Sequence, residues 1–324
     1  MEKSPGQRVL AACKEAVQPA LSTIWFLLRL MLPVSLGVLL LETSGILFHV
    51  SRLMDPLMGY LGLPGRASLV FLSSVLVNIY SAIAVLEPLN LSIREIIILA
   101  TMCTIAHNFF VELAVLKKTG SPIIRMAVLR MVCALLAAWA LNHLLPGKAA
   151  ALPESTLPED VLAPIGIDPR ILPALLIRWL KEGLFLILRI VPIILGLMIL
   201  QKLLAEFGII TLLGKVTAPL MRVFGLSANA GYLWVLANLV GLAYGSAILI
   251  EELRSERLSL SEAKLFNHHV ALSHSQLEDT LLFTALGAPY LWVALPRLIL
   301  AIAVVWLELL RRFLFRRSFR VKIM

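Results

Sequence analysis

The sequence predicts an all-α, polytopic integral membrane protein built from two homologous halves. Three observations support this prediction: the composition, the length of the apolar blocks and an internal repeat. Hydrophobic residues make up 60% of the 324 residues, charged residues make up only 15%, and the mean hydropathy is +0.91. Soluble proteins are about 45–50% apolar and about 25% charged, so a soluble core could not bury this much apolar surface. The apolar residues also form long blocks, and one stretch of the chain recurs later in it.

Eight apolar blocks are long enough to cross a bilayer, for which a helix needs about 20 residues. A shorter apolar segment follows the first block of each half, at Leu53–Leu63 and Ile209–Leu226, and contains a proline and a charge. A charge at mid-bilayer costs at least about 2.5 kcal/mol, so we expect these two segments to be broken or re-entrant helices. The eight expected transmembrane helices cover residues 21–48, 67–86, 95–116, 123–145, 183–205, 228–250, 263–285 and 289–310.

The apolar blocks divide the chain into five parts, with a Pro-rich linker between two membrane repeats. No cleavage site for a signal peptide follows the first block, so we expect that block to remain as a membrane helix. The expected parts are an N-terminal cytoplasmic or interfacial segment (1–20), the first membrane repeat (21–145), the linker (146–182), the second membrane repeat (183–310) and a basic cytoplasmic tail (311–324).

An internal repeat is the strongest signal in the sequence. Residues 91–130 align with residues 258–297 at a fixed offset of 167, and eight of the forty positions are identical. Several shared residues belong to types that are scarce here, which a common hydrophobic bias does not explain. Charge counting leaves open whether the halves are parallel, with four crossings each, or inverted, with five. The pairs are Leu91/Leu258, Ser92/Ser259, Glu95/Glu262, His107/His274, Gly120/Gly287, Pro122/Pro289, Ala127/Ala294 and Arg130/Arg297, and Glu112 aligns with Asp279.

The charge distribution predicts the orientation. The net charge is +9, from 29 Lys and Arg against 20 Asp and Glu, and six basic residues lie in the last 14 positions. The positive-inside rule explains such a tail without a nucleic-acid partner. We therefore expect a multi-pass protein of the plasma (inner) membrane with both termini cytoplasmic, the lipid bilayer as partner and no nucleic acid bound. The sequence is compatible with a homo-oligomer.

Polar residues inside apolar helices are expensive and mark functional or packing sites. We expect substrate-binding residues at His107, Asn108 and Glu112 in the first half. At 100° per residue the polar residues of the second half form one continuous helix face, unless that helix is amphipathic and lies at the membrane surface. Those second-half residues are Asn267, His268, His274, Ser275, Glu278 and Asp279.

The repeat places a histidine and an acid at the same positions in each half. We therefore expect the His107/Glu112 and His274/Asp279 helices to face each other across the centre of the protein as a symmetric pair. Shared burial would let these groups bond one another instead of remaining unsatisfied in lipid. Arg130 and Arg297 would either neutralise the acids or extend to the membrane surface.

Sequence motifs typical of enzymes are absent: we find no HExxH, Walker A, GxGxxG or GxSxG pattern. We therefore expect that the protein is not an enzyme and has no cofactor. His268, His269 and His274, with Glu278 and Asp279, are ligand types for a divalent metal, but their spacing matches no metal motif, so no metal site is predicted. Cys13, Cys103 and Cys133 are scattered and predict neither a disulfide framework nor a zinc site.

The stretch from Ala106 to Gly120, AHNFFVELAVLKKTG, resembles the His-x4-Glu…Lys-Lys-x-Gly segment of the gate, or nucleoside recognition, domain. That family includes spore maturation proteins and is similar to membrane regions of concentrative nucleoside transporters and ferrous iron permeases. The stretch from Ser273 to Pro289 resembles a diverged second copy, with Thr284-Ala285 in place of the two lysines. The resemblance implies a nucleoside-like solute as the first choice of substrate.

Three functions remain open from the sequence, ahead of a membrane enzyme as the least favoured fourth. The first is a permease for a small polar solute, with the site between the two repeats. The second is a divalent metal cation permease that uses the two histidines and the acids of both halves as ligands. These ligands would be His107, Glu112, His274, Glu278 and Asp279. The third is a non-transporting membrane scaffold or maturation factor.

Overall fold

The computed structural model describes residues 4–44, 46–147, 170 and 172–321, and the regular structure in this part of the chain is helical throughout. Both halves contain the same succession of helices, and the chain is a polytopic helical membrane protein, as predicted. The first half contains α1 (Pro5–Thr43), α2 (Ile46–Tyr60), α3 (Ala67–Leu76), α4 (Ile79–Leu86), α5 (Ile93–Ile105), α6 (Phe109–Lys118) and α7 (Ile123–Leu144). The second half contains α8 (Leu172–Glu206), α9 (Ile209–Val223), α10 (Gly231–Leu239), α11 (Leu242–Arg254), α12 (Leu260–Val270), α13 (Gln276–Thr284) and α14 (Tyr290–Val321).

Five helical segments in the described part of the chain are long and apolar enough to cross a membrane, and they match five of the eight predicted blocks. The three remaining blocks, 67–86, 228–250 and 263–285, are each divided into two shorter helices. The expectation of one continuous helix is therefore wrong for these blocks, and also for 95–116, where α5 and α6 are separated. The five segments are Pro5–Leu41, Ile93–Lys118, Ile123–Leu144, Leu172–Glu206 and Tyr290–Phe315.

Two of the divided blocks fold back on themselves. A Cβ added to Gly245 in α11 would lie 3.2 Å from the Cα of Ala237 in α10, eight residues earlier in the chain. Residues eight apart in one straight helix are about 12 Å apart, so α10 and α11 form a hairpin. The helices α3 and α4 also pack against each other. Asn78 lies at their turn, and its Oδ1 accepts a hydrogen bond from the Ser81 N–H at 2.9 Å, which caps α4.

The segments that fold back thus lie at 67–86 and 228–250, whereas the segments expected to be broken are the continuous 15-residue helices α2 and α9. The charge in α2 has a local explanation, because Asp55 accepts a hydrogen bond from the Gly65 N–H at 2.7 Å and closes the following turn. The charge in α9, on Lys215, is exposed. Neither charge therefore requires the helix that carries it to be broken.

The first helices of the two halves run antiparallel. Arg8, near the start of α1, pairs with Glu206 at the end of α8 at 2.8 Å. Trp179, near the start of α8, donates to Ser35 near the end of α1 at 2.9 Å. Inverted repeats require this antiparallel arrangement, so the contacts select the inverted topology that charge counting left open.

Helix α1 extends beyond the predicted boundary, because it begins at Pro5 and contains most of the segment 1–20. This segment is rich in alanine, which has the highest helix propensity. Ala12, Ala16 and Ala20 lie four residues apart on one face and are buried. Packing of that face extends the first membrane helix by several turns.

Helices α8 and α14 also cross predicted boundaries. Helix α8 begins at Leu172, inside the expected linker 146–182, and α14 continues to Val321, inside the expected tail. Residues 148–169 of the linker lie outside the described part of the chain. Apolar residues before the predicted block account for the extension of α8, whereas the extension of α14 contains five arginines among its eleven residues.

The α5–α6 segment lies at the centre of the molecule. It is 78% buried over its apolar window, against 28–33% for the four other candidate spans. Helix α5 packs against α3, α7, α13 and α14. Most of the α5–α6 segment is therefore enclosed by protein, including His107 at its junction, while Asn108 is partly buried.

Candidate functional site

Each half has one membrane helix that unwinds part-way, at residues 106–108 between α5 and α6 and at residues 271–275 between α12 and α13. Asn108 and Ser275 occupy the same position in the repeat. Both have a left-handed backbone, with φ of +49° and +46°, which turns the chain before the second half-helix begins. An unwound helix leaves backbone polar groups without intrahelical partners, and the membrane interior supplies no water for them.

The hairpins satisfy part of this requirement. The Asn108 N–H donates to the carbonyl oxygen of Ser74 in α3, and the Ser275 N–H donates to that of Ala237 in α10, both at 2.9 Å. Each acceptor lies close to the turn of its hairpin. Each hairpin therefore contacts the unwound segment of its own half at a point near the turn of the hairpin.

Two buried arginines satisfy the freed carbonyl groups. Arg130 donates from Nε to the Ile105 carbonyl at 2.9 Å and from Nη2 to the His107 carbonyl at 2.8 Å. Arg297 makes the repeat-related bonds to Leu272 and His274, at 3.3 and 2.6 Å. Both side chains are 0% exposed, so neither extends to the membrane surface.

The two unwound segments bring the paired histidines together, as the repeat predicted. The Nε2 atoms of His107 and His274 are 3.3 Å apart. Glu112 Oε1 lies 3.0 Å from Nε2 of His107 and 3.1 Å from Nε2 of His274. Asp279 Oδ2 lies 3.7 Å from Nε2 of His107. All four residues are less than 10% exposed.

The histidine contacts require an extra proton or a cation. Nδ1 of His107 lies 3.0 Å from the Cys103 carbonyl oxygen, and Nδ1 of His274 lies 2.7 Å from the Val270 carbonyl oxygen. A carbonyl oxygen only accepts, so each Nδ1 carries a hydrogen. In neutral rings the two Nε2 lone pairs would then face each other. One proton shared by His107, His274 and Glu112, or a bound cation, removes this repulsion.

The acids pair unequally with the arginines. Glu112 Oε2 lies 2.6 Å from Arg130 Nη2, whereas Asp279 Oδ2 lies 3.8 Å from Arg297 Nη2. Arg130 Nη1 and Asp279 Oδ2 are buried without a hydrogen-bond partner among the described residues. Buried polar groups normally have partners, so this donor and this acceptor remain available to a polar ligand or to water.

Glu278 adds a third acid, held by a residue from a hairpin. The Tyr80 hydroxyl in α4 donates to Glu278 Oε1 at 2.5 Å. We define the central cluster as His107, His274, Glu112, Glu278, Asp279, Arg130 and Arg297. Its three carboxylates, when ionised, balance two guanidinium groups and one imidazolium. Loss of the imidazolium proton leaves one net negative charge, which favours uptake of a proton or a cationic group.

Four predicted site residues are not members of the central cluster, and two of them, Asn267 and His268, make their side-chain contacts elsewhere. The Asn267 amide donates to the Thr119 hydroxyl and to Ser121 Oγ, both at 2.9 Å, and so joins the two halves. Nδ1 of His268 lies 2.5 Å from the Lys264 carbonyl oxygen. The predicted continuous polar face is wrong because the helix unwinds at residues 271–275, so a rotation of 100° per residue cannot be extended across that point.

Asn108 and Ser275 belong to the site through their backbone conformation. The sequence interpretation underrated Arg130 and Arg297, whose identity in the repeat was the available signal. Tyr80, a polar residue in an apolar block, was a weaker candidate for solute contact, and the folding of α3 and α4 into a hairpin brings it to Glu278. His269 accepts from Trp234 Nε1 at 2.9 Å and is a packed core histidine.

Comparisons with other proteins support the membrane character. No protein-family model and no solved structure match the chain. The chain is similar to an uncharacterized membrane protein of Bacillus subtilis (strain 168), YvoD, with 28% identity over 267 residues, which cover 82% of this chain and 84% of that protein. This similarity agrees with the membrane fold and does not extend to the gate-domain family.

Proposed function

We propose that the protein is a proton-coupled secondary permease for a small polar solute, and that the central cluster binds the solute and the proton. Transport rather than enzymatic catalysis is proposed. The observation that carries the proposal is the meeting of two unwound membrane helices and two hairpins at His107 and His274. Inverted-repeat transporters characteristically use such discontinuous helices near the bilayer midplane, where half-helix ends contact the substrate.

The charge balance supports proton coupling. The two Nε2 atoms accommodate one shared proton, and without it the cluster carries one net negative charge. A solute with a donor and an acceptor can bond Asp279 Oδ2 and Arg130 Nη1, which have no hydrogen-bond partner among the described residues. Binding and protonation then affect the same ion pairs, which is the requirement for coupling.

The cluster is enclosed in the described conformation, since its two histidines, Glu112 and Asp279 are each less than 10% exposed. A solute therefore enters only after the hairpins or unwound segments separate. The first choice of solute is nucleoside-like, on the basis of the His107 to Gly120 motif and its resemblance to the gate-domain family. A nucleoside has the hydroxyl donors and carbonyl or imine acceptors that the cluster can bond.

Solute-dependent proton movement tests the proposal. The purified protein is first screened for thermal stabilisation by nucleosides, because a ligand at 100 times its Kd stabilises the folded state by about 2.7 kcal/mol. Liposomes containing the protein and an internal pH dye then receive the stabilising solute. We expect solute-dependent acidification with the native protein and with Glu251→Gln, which changes an exposed acid. Glu278→Gln, which retains a partner for Tyr80, should reduce it at least tenfold.

A divalent cation permease is the second candidate, and one observation favours it. Ligand atoms of His107, His274 and Asp279 all lie within 4.8 Å of one another. Both histidines donate from Nδ1 to a backbone carbonyl, which is the usual arrangement of metal-binding histidines. Saturable uptake of Fe²⁺ or Mn²⁺ that is lost in His274→Gln, without any response to nucleosides, would select this candidate. The adjacent guanidinium groups of Arg130 and Arg297 disfavour this candidate, because they repel a divalent cation.

The scaffold alternative predicts a different outcome. If folded protein binds no solute or metal, and no gradient drives flux through it, the permease proposal is overturned and a scaffold or maturation role replaces it. We also propose a plasma-membrane location with both termini cytoplasmic, supported by Arg311 and Arg312 near the end of α14. A reporter active on the outer side when fused after Met324 would contradict this orientation.

A further inference from the structure

A pocket lined by several charged residues lies away from the central cluster, at a junction of the two halves. It has a volume of about 730 Å³ and is formed by the starts of α7 and α12 and the last turns of α14. None of its lining residues belongs to the central cluster. We define the basic pocket by its charged and titratable lining, namely Arg125, Lys264, His268, Glu308, Arg311 and Arg312.

One carboxylate organises three guanidinium groups at this pocket. Glu308 is 4% exposed and accepts from Nε and Nη2 of Arg311, at 2.7 and 2.9 Å, and from Nε of Arg312 at 2.8 Å. Arg125 pairs with the same carboxylate. Lys264 adds a fourth cation, so four positive charges stand against one negative charge. Each guanidinium retains donors that Glu308 does not use.

Two groups in the basic pocket lack partners. The Lys264 ammonium makes no hydrogen bond or ion pair with a described residue. His268 is 3% exposed, and its Nε2 is buried without a hydrogen-bond partner in the part of the chain that is described. Nδ1 donates to the Lys264 carbonyl, so neutral Nε2 can accept a hydrogen bond from a ligand hydroxyl.

The repeat shows that these charges are not needed to build the fold. At an offset of 167, the positions of Glu308, Arg311 and Arg312 are occupied in the first half by Leu141, Leu144 and Leu145. The position of Lys264 is occupied by Ile97. The same succession of helices therefore forms with leucine or isoleucine at these sites. The second half therefore carries charges at positions where the first half has apolar residues.

We propose that the basic pocket binds a phosphate group with a neighbouring hydroxyl, supplied by the head group of an anionic phospholipid. The cations contact the phosphate, and His268 accepts from the hydroxyl. Leu260 and Phe315 line the same pocket and are 51% and 62% exposed, so an acyl chain can cover them. Basic pockets between membrane helices bind phospholipid head groups on this principle. The inference does not depend on what the central cluster transports.

Lipid retention and stability measurements test this proposal on the full-length protein. The protein is delipidated and placed in nanodiscs of phosphatidylcholine, with or without phosphatidylglycerol, and retained lipid is counted by native mass spectrometry. Lys264→Gln leaves the Glu308 contacts intact, and Arg311→Gln removes a second charge. Arg254→Gln, at an exposed site outside the pocket, is the matched control. Titration of glycerol phosphate into phosphatidylcholine nanodiscs tests a soluble source of phosphate.

We expect native protein and Arg254→Gln to retain phosphatidylglycerol, and Lys264→Gln to bind it about fivefold more weakly, since one charge near an anionic surface contributes about that factor. A thermal response to glycerol phosphate that Lys264→Gln abolishes would support the same site with a soluble phosphate ester as ligand. Equal lipid retention in Lys264→Gln and Arg254→Gln, with no response to glycerol phosphate, overturns the proposal. Lys264→Gln decides the result even if Arg311→Gln fails to fold.

Discussion

The two copies of the unwound helix share one backbone design but differ in how tightly their charges pair. In the first copy Glu112 lies 2.6 Å from Arg130 and contacts both histidines. In the second copy Asp279, one methylene shorter, lies 3.8 Å from Arg297. The second copy also has Glu278, whose partner Tyr80 belongs to the first half.

This difference distinguishes the contacts that support the unwound segments from the contacts that can change during function. The arginine-to-carbonyl bonds occur in both copies at matching positions, so they are part of the scaffold. The acid pairs differ in length, because Glu112 Oε2 lies 2.6 Å from Arg130 Nη2 whereas Asp279 Oδ2 lies 3.8 Å from Arg297 Nη2. The first copy therefore holds its acid more closely than the second copy does, and polar atoms without a hydrogen-bond partner among the described residues, available to a ligand, occur in both copies.

The largest expected effect is the loss of a buried arginine. Arg130→Met leaves two carbonyl groups and Glu112 without their partner, and breaking a buried ion pair costs about 3–5 kcal/mol. Arg297→Met should cost less because its acid is farther away. Thermal unfolding in detergent measures both. Arg130→Met/Glu112→Gln should recover part of the loss, and native-like stability of Arg130→Met alone would contradict the proposed support of the unwound helix.

Neutralising the acids should show which copy of the unwound helix depends more on its carboxylate for folding stability. Glu112→Gln removes the closely paired carboxylate and should cost roughly 2–3 kcal/mol, within the range for hydrogen bonds to charged groups. Asp279→Asn should cost about 1 kcal/mol, the value of an ordinary hydrogen bond, because its contact with Arg297 is 3.8 Å long. Unfolding midpoints and proton coupling are compared for both variants. Equal stability losses would show that the shorter Glu112–Arg130 distance (2.6 Å) stabilises the protein no more than the longer Asp279–Arg297 distance (3.8 Å).

Removing the N-terminal helix cap should destabilise the protein equally in both copies of the repeat. Ser92 and Ser259 each form a capping box, with Glu95 and Glu262, and Ser→Ala at such a cap costs about 1 kcal/mol. Hydrogen bonds from Ser259 lower the pKa of the Glu262 carboxyl, so the stabilisation is present above its ordinary pKa and is lost as the pH falls through the folded-state pKa. The loss in Ser259→Ala should therefore shrink in acid, as unfolding curves at several pH values would reveal.

The smallest expected change in stability concerns Asn108 and Ser275, the two residues with a left-handed backbone in the unwound segments. A non-glycine residue in this conformation costs about 1–2 kcal/mol, and asparagine tolerates it better than serine. Ser275→Gly should therefore stabilise the protein by about 0.5 kcal/mol after the entropy of glycine is included, and Asn108→Gly should be close to neutral. Thermal unfolding midpoints compare the two variants. A loss of stability in Ser275→Gly would show that the serine side chain contributes a contact.

The sequence by itself determined the membrane class, the two halves and the pairing of His107 with His274. These follow from composition and from the position of scarce residues, and both are independent of the detailed path of the chain. The sequence did not predict that helices unwind at residues 106–108 and 271–275. Neither segment contains a proline or a glycine, so local propensity did not indicate a break.

Only the tertiary structure decided where each polar group lies. The unwinding is stable because Arg130 and Arg297, from other helices, donate to the freed carbonyls, and because the hairpins accept the N–H groups of Asn108 and Ser275. The same change of direction takes Asn267 and His268 away from His274. The inverted orientation of the halves also came from tertiary contacts, such as Arg8 with Glu206, because both topologies distribute the basic residues almost equally. Helical periodicity predicts a face only while the helix continues, and partners distant in sequence determine where it ends.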